Sequence, residues 1–210
     1  SVDKSDVRGW YENYWGQALD PKRGLTVVEI MDAVHAGEIT GMYIMGENPA
    51  MSDPDQAHAR EALAMLDHLV VQDIFLTETA WFADVVLPAS AHAEKRGTYT
   101  NTNRQIQMGR PALDLPGDAR QDWELIVELA QRIGLGWKYG HVSDVYAEMA
   151  AAMPSLRNIS WDRIEREESV IYPAKAPDQP GDEIVFTDGF PTADGRGRIV
   201  PADLLPPDEL

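Results

Sequence analysis

From Val27 onward the apolar residues Val27, Ile30, Met31 and Val34 recur at helical spacing as far as Gly37. Thr26 followed by Glu29 forms a capping box before that run, so the pattern predicts a helix of about three turns. Gly41-Met-Tyr-Ile-Met45 is instead a short continuous apolar run stopped by Gly46-Glu47-Asn48-Pro49, which predicts a buried strand and its turn. Asp55 to Leu69 places Ala59, Ala62, Leu63, Leu66 and Leu69 on one helical face, and Leu69-Val-Val71 reads as a second strand ended by Gln72-Asp73. A short helical turn over Thr77 to Ala83 leads into a third strand, Asp84-Val-Val-Leu87, stopped by Pro88. Short apolar strands alternating with helices predict an α/β fold with a Rossmann-like, mostly parallel sheet and helices on both faces.

The flanks are less periodic. Residues 1–24 are polar with scattered Trp10, Tyr11, Tyr14 and Trp15, and read as a lead-in with a short helix around 6–16. Glu94 to Gln107 is rich in glycine, threonine and asparagine and reads as a loop. A helix from Asp118 to Ile133, ending at Gly134, and another from Asp144 to Met153, capped by Ser143 and stopped by Pro154, follow. Met31, Met42, Met45 and Met65 occupy apolar positions and read as core. Beyond Val170 proline and glycine become dense, predicting extended chain with a small hairpin at 184–200. The expected organisation is a lead-in over 1–24, an α/β domain over 25–168, and an extended Pro/Gly-rich linker over 169–210 toward a further domain.

Composition narrows the chemistry. Thirty-five acidic against 18 basic residues give a net charge of −17, which repels nucleic acid and anionic lipid. Zero cysteines exclude disulfides, thiolate-held zinc or iron–sulfur clusters, and a cysteine nucleophile from these 210 residues. No apolar run is long enough to span a bilayer, and the start has no signal-peptide character, so a cytoplasmic location and no membrane insertion are expected. The absence of an initiator methionine fits a segment of a longer polypeptide.

In open α/β sheets ligands collect beyond the carboxyl ends of the strands. Those ends carry Glu47 and Asn48, then Gln72 and Asp73, then Pro88 leading to Glu94 and Lys95. Asn48 suits either a turn residue before Pro49 or an amide that recognises a base or pyrophosphate. Asp73 either caps the turn at Thr77 to Ala83 or accepts hydrogen bonds from a guanine edge or a ribose. Lys95, Arg96, Arg104 and Arg110 form a basic cluster without interleaved acids, which fits an anionic ligand or a solvated loop. His35, His58, His68, His92 and His141 show no metal spacing, with His58 and His68 on one predicted helix. No GxSxG, HExxH, Walker-type or GxGxxG motif occurs.

In order along the chain stand Gly46-Glu-Asn-Pro49, Val70-Val-Gln-Asp-Ile-Phe-Leu-Thr-Glu-Thr-Ala80 and Ala83-Asp-Val-Val-Leu-Pro88. Glu94-Lys-Arg-Gly-Thr98 and Asn101-Thr-Asn-Arg104 follow. Together they resemble the molybdopterin oxidoreductase family, above all the catalytic α subunits of formate dehydrogenases. The likeness is strong over 24–136, including Gln121-Asp-Trp123, and continues faintly to Asp194-Gly-Arg196; Asn103 departs from the acidic residue common in relatives. It implies the third domain of a four-domain subunit, an α/β domain holding the dinucleotide end of a pterin cofactor, two of which chelate molybdenum or tungsten. It further implies that Gly46, Glu47 and Asn48, and Gln72 and Asp73, contact the nucleotide, with Thr77, Lys95 and Asp122 at matching positions and Lys95 offsetting pyrophosphate charge. No catalytic or metal-ligating residue falls in this stretch, because the family's metal ligand is a cysteine or selenocysteine and its iron–sulfur clusters need further cysteines. The implied partners are the rest of the catalytic subunit and an iron–sulfur or flavin electron-transfer subunit. The implied activity is oxidation of formate to carbon dioxide, with this stretch inactive alone. A nitrate reductase of the same family, or a stand-alone nucleotide-binding or assembly module, are the competing expectations.

Overall fold

A computed structural model describes residues 2–202. Helix α1 (Ser5–Trp15) precedes α2 (Val27–His35), strand β1 (Gly41–Met45), the short α3 (Pro49–Ser52), α4 (Gln56–Met65) and β2 (His68–Asp73). A 3-10 turn at Ala80–Phe82 then leads into β3 (Val85–Pro88). The capping box of α2 forms as predicted: Thr26 Oγ accepts from the Glu29 amide at 3.4 Å, and Glu29 Oε2 accepts from the Thr26 amide at 2.7 Å. Buried Met31 and Val34 on α2 meet Ala59 and Ala62 on α4, where small side chains bring the two helices close. Helix α4 ends at Met65, and His68 and Leu69 belong to β2. His58 and His68 therefore sit on different elements, not on one helix as predicted.

Strands β1, β2 and β3 pair in that order, all parallel, with Ile44 opposite Val71, Met45 opposite Gln72 and Asp73 opposite Pro88. One face of this sheet buries Ile44, Leu69 and Val71 against Leu63 and Ala50. Each such aliphatic side chain contributes about 1.5–3 kcal/mol when taken from water. The opposite face carries Tyr43 and Val85, both more than half covered, together with Val70 and Gln72. Met31 is buried as expected, but Met45 and Met65 are 45% and 53% exposed, so neither is core.

The expected loop over 94–107 is a hairpin. Strands β4 (Gly97–Thr100) and β5 (Gln105–Gly109) pair antiparallel, and β6 (Ser169–Ile171) adds to β5. Four uninterrupted apolar positions never occur there, and Tyr99 lying over Gly109 supplies the cross-strand packing instead: a Cβ on Gly109 would sit 2.1 Å from the ring. Helices α5 (Asp122–Arg132), α6 (Val142–Ala152) and α7 (Trp161–Glu167) follow. Helix α5 starts four residues later than predicted. Helix α6 is capped by His141 rather than Ser143, because His141 Nδ1 accepts from the Ser143 amide at 3.2 Å. The pattern did not predict α7, yet its Trp161 and Ile164 share a second core with Ile106, Tyr146, Ile159 and Val170.

Helix α1 lies on α6, with Trp10 Nε1 donating to the Ala152 carbonyl at 3.0 Å. Residues 169–171, placed in the linker by the sequence pattern, are a strand of the second sheet. The predicted hairpin at 184–200 is a loop closed by the Phe190 amide on the Gly195 carbonyl at 2.9 Å, without strands among the described residues. The last eight linker residues, 203–210, lie outside the described residues.

Candidate functional site

Parallel pairing in register brings three strand tips to one level. Gly46 follows β1 with φ +64°, a left-handed conformation that favours glycine, and its amide donates to the Gln72 carbonyl at 2.9 Å. Asp73 Oδ1 accepts from the Ile74 amide at 2.6 Å, and the Asp73 carbonyl accepts from the Ala89 amide at 3.0 Å. Beyond β3 the chain pairs Ala89 with Arg120, which delivers Asp122 at the first turn of α5 to the same tips. The result is a cleft of about 380 Å³ lined by Gly46, Gln72, Asp73, Ser90, Lys95 and Asp122, with Met45, Ile74 and His92 at its sides.

A chain of polar side chains crosses the cleft floor. Tyr43 donates its hydroxyl to Gln72 Oε1, and Gln72 Nε2 donates to Asp122 Oδ1 at 2.8 Å. Asp122 Oδ2 pairs with Lys95 Nζ, which also donates to the Ser90 carbonyl at 2.9 Å. Gln72 is fully buried, so both ends of its amide need partners, and Tyr43 and Asp122 provide them. Burial, and behind it the Asp122 carboxylate, push the Tyr43 phenol above its ordinary pKa and keep it a neutral donor.

Five of the eight residues singled out from the sequence therefore line one cleft: Gly46, Gln72, Asp73, Lys95 and Asp122. Asn48, Thr77 and Glu47 do not. Asn48 Oδ1 accepts from the amide and hydroxyl of buried Thr79, at 3.1 and 2.8 Å, while its Nδ2 donates to Glu78 at 2.7 Å. The amide is thus spent on fastening the β1 turn to the segment after β2. That same bond holds the Glu78 carboxyl below its ordinary pKa. Thr77 Oγ accepts from the Ala80 amide at 3.3 Å and so ties its loop to the first residue of the 3-10 turn. Glu47 lines a different groove along β1 with Asp53, whose carboxyl is pushed up by burial and then by Glu47.

The basic cluster does not assemble as an anion site. Arg96 pairs with Glu165 on α7, and Arg110 pairs with Glu168 at 2.5 Å. Arg104 donates to the carbonyls of Tyr172, Asp182 and Glu183 at 2.5, 2.9 and 2.8 Å. Three of the four cations thus seam the hairpin to α7 and the C-terminal segment, and only Lys95 faces the cleft. Asn103 Oδ1 accepts from the Gln105 amide at 3.2 Å within the hairpin turn. Ser90 and His92 are cleft residues outside the expected nucleotide contacts, His92 having been weighed only for metal spacing; a lone serine and a lone histidine after a strand-ending proline carry no periodic or spacing signal. Among the described residues no group of histidine and carboxylate side chains could hold a metal ion, and no helix is long and apolar enough to cross a membrane.

Comparison with known proteins concerns the chain as a whole. The chain is 45% identical over 195 residues to the F420-dependent formate dehydrogenase subunit alpha of Methanocaldococcus jannaschii, covering 92% of this chain and 29% of that one. It is 38% identical over 209 residues to a probable oxidoreductase of Bacillus subtilis, covering all of this chain and 21% of the relative. Putative formate dehydrogenases of Staphylococcus aureus match at 38% over 201 residues, 20% of their length. The chain thus spans between a fifth and a third of the curated relatives it matches. Among solved structures, acetylene hydratase from Pelobacter acetylenicus superposes with a TM-score of 0.60 at 23% identity, covering 93% of this chain and 27% of that one, a likeness of fold. Residues 15–132, more than half of the chain, match the model of the molybdopterin oxidoreductase family, and the chain belongs to that family.

Proposed function

We propose that this chain is the nucleotide-holding portion of a formate dehydrogenase-like catalytic subunit. In this reading the cleft at the strand tips takes the guanine end of a pterin guanine dinucleotide bound to molybdenum or tungsten. The carrying observation is the donor set: Asp73 and the Gln72–Asp122–Lys95 chain meet in one cleft at the carboxyl end of a parallel sheet. A guanine base presents N–H donors on one edge and the O6 and N7 acceptors on another. Carboxylates at Asp73 and Asp122 suit the first, and the Lys95 ammonium suits the second. The residues present therefore fit the base. They fit pyrophosphate poorly, because the Asp73 and Asp122 carboxylates outnumber the one lysine in the cleft and would repel it.

When bound, the cofactor supplies the two-electron chemistry that oxidises formate to carbon dioxide. This chain's residues do other work. Gln72 is fixed from both sides, so its amide orients Asp122 before any ligand arrives, and Gly46 brings backbone close to the cleft. Asn48 and Thr77 hold the loops that shape it. The rest of the catalytic subunit, and an electron-transfer subunit, complete the enzyme on this reading.

The test is made on the intact natural polypeptide, purified without oxygen. It should contain metal and pterin, release guanosine monophosphate on acid hydrolysis, and pass electrons from formate to a dye. Asp73→Ala should lower pterin and metal content several-fold. Full occupancy in that variant overturns the assignment of Asp73. A natural polypeptide that ends within these 210 residues and binds nucleotide without metal overturns the oxidoreductase reading in favour of a stand-alone module.

A further inference from the structure

Among the described residues the cleft holds one buried side-chain polar atom with no partner. Ser90 is 1% exposed, and its Oγ makes no hydrogen bond among the described residues. Three backbone groups at and beside Ser90 are already bonded. The Ser90 carbonyl accepts from Lys95 Nζ, the Ala89 amide donates to the Asp73 carbonyl, and the Ala91 amide donates to Glu94 Oε2 at 2.8 Å. Leaving a buried hydroxyl unpaired is destabilising, and alanine would occupy the same space without that cost. Arg96 Nε, also buried without a partner, lies in the seam with α7 and not in the cleft.

We infer that the Ser90 hydroxyl is a further contact of the bound nucleotide, exchanging a hydrogen bond with the purine base between the Asp122–Lys95 pair and Asp73. This rests on the cleft being the nucleotide site proposed above. A hydroxyl both donates and accepts, so it complements the acceptor-only carboxylates and the donor-only ammonium that line the same cleft. Ser90 is held by the backbone bond that positions Lys95, so both groups are delivered together at the end of β3. The ligand class is a guanine nucleotide, and the contact is made to the base rather than to phosphate.

The experiment uses the intact polypeptide produced in cells that cannot make the pterin cofactor, with guanosine diphosphate as the probe and adenosine diphosphate as the control. Calorimetry gives the dissociation constant, and thermal denaturation gives the midpoint of the ligand-free protein. Ser90→Ala should weaken guanosine diphosphate about three- to tenfold, the range of one net hydrogen bond, while leaving the ligand-free midpoint the same or a few degrees higher. Ser90→Cys, which keeps a weak donor of similar shape, should fall between the two. Unchanged affinity in Ser90→Ala, or a lowered ligand-free midpoint, overturns the inference and leaves the nucleotide site standing. Failure of the unaltered protein to bind guanosine diphosphate overturns both.

Discussion

Replacing Asn48 with alanine removes a staple whose parts can be weighed separately. Asn48 Oδ1 is the acceptor for the Thr79 amide and hydroxyl, and Thr79 has no solvent exposure. Alanine leaves that amide unpaired in a dry interior, a loss of about 1–3 kcal/mol. The hydroxyl is less exposed to loss, because it still accepts from the Ala50 amide at 3.1 Å and can turn toward another acceptor. The Glu78 contact is at the surface and adds little. The expected total is about 2–3 kcal/mol, or a midpoint lowered by some 5–10 °C for a chain of this size. Asn48→Asp keeps the acceptor and exchanges only the Nδ2 donor for an oxygen facing Glu78. It should recover most of the loss, and recover more of it in high salt, where the two exposed carboxylates repel less. Thermal denaturation followed by circular dichroism separates the two variants. Equal midpoints for Asn48→Ala and Asn48→Asp would refute the staple, because they differ in the Oδ1 acceptor. Asn48 does not line the strand-tip cleft, so on the reading proposed above guanosine diphosphate affinity in Asn48→Asp should stay within about twofold of the unaltered chain, well under one hydrogen bond.

Two further outcomes test the second sheet and the first cap. Arg104 serves three carbonyls of the C-terminal segment from a backbone at φ +67°, so Arg104→Ala should cost about 2 kcal/mol in urea denaturation, and Arg104→Lys should recover less than half of it, because one ammonium cannot reproduce the guanidinium fork. A lysine variant as stable as the unaltered chain would contradict this. The Glu29 carboxyl is held down to about 2, by Arg23 first and the Thr26 contacts next, from an ordinary value of 4.5. A depressed carboxyl contributes stability that is complete above its unfolded value and is lost as pH falls toward the folded one. Acidification from about pH 4.5 to about 2 should therefore destabilise the unaltered chain more steeply than Glu29→Gln, and identical acid slopes would remove the cap from the explanation.

The parallel sheet was legible because its strands are continuous apolar runs, ended by Gly46, by Gln72-Asp73 and by Pro88, and because Thr26 and Glu29 mark a helix start without reference to the rest of the chain. The hairpin was not. Strands β4 and β5 read as loop, since Gly97, Thr98 and Thr100 have turn composition, and what makes them strands is the partner β6, some 60 residues away, together with Tyr99 covering Gly109. Helix α7 is seven residues long, too short for its period to stand out, and its place is set by Trp161 and Ile164 entering a core shared with α6.

Electrostatic pairing was hidden for the same reason. A basic cluster in sequence states how much charge a segment carries and says nothing about which acids meet it after folding. The acids that neutralise Arg96 and Arg110 lie on or just beyond α7, and the carbonyls that take up Arg104 lie further on still. Lys95 is likewise answered by Asp122, 27 positions away. Once those pairs are drawn, the strand-tip cleft has one cation against Asp73 and Asp122, and a doubly charged phosphate would enter it against net repulsion. A base that offers N–H groups meets no such penalty. On the reading proposed above, the cleft would therefore take the donor-rich end of a nucleotide, and the phosphates would be met by groups outside it.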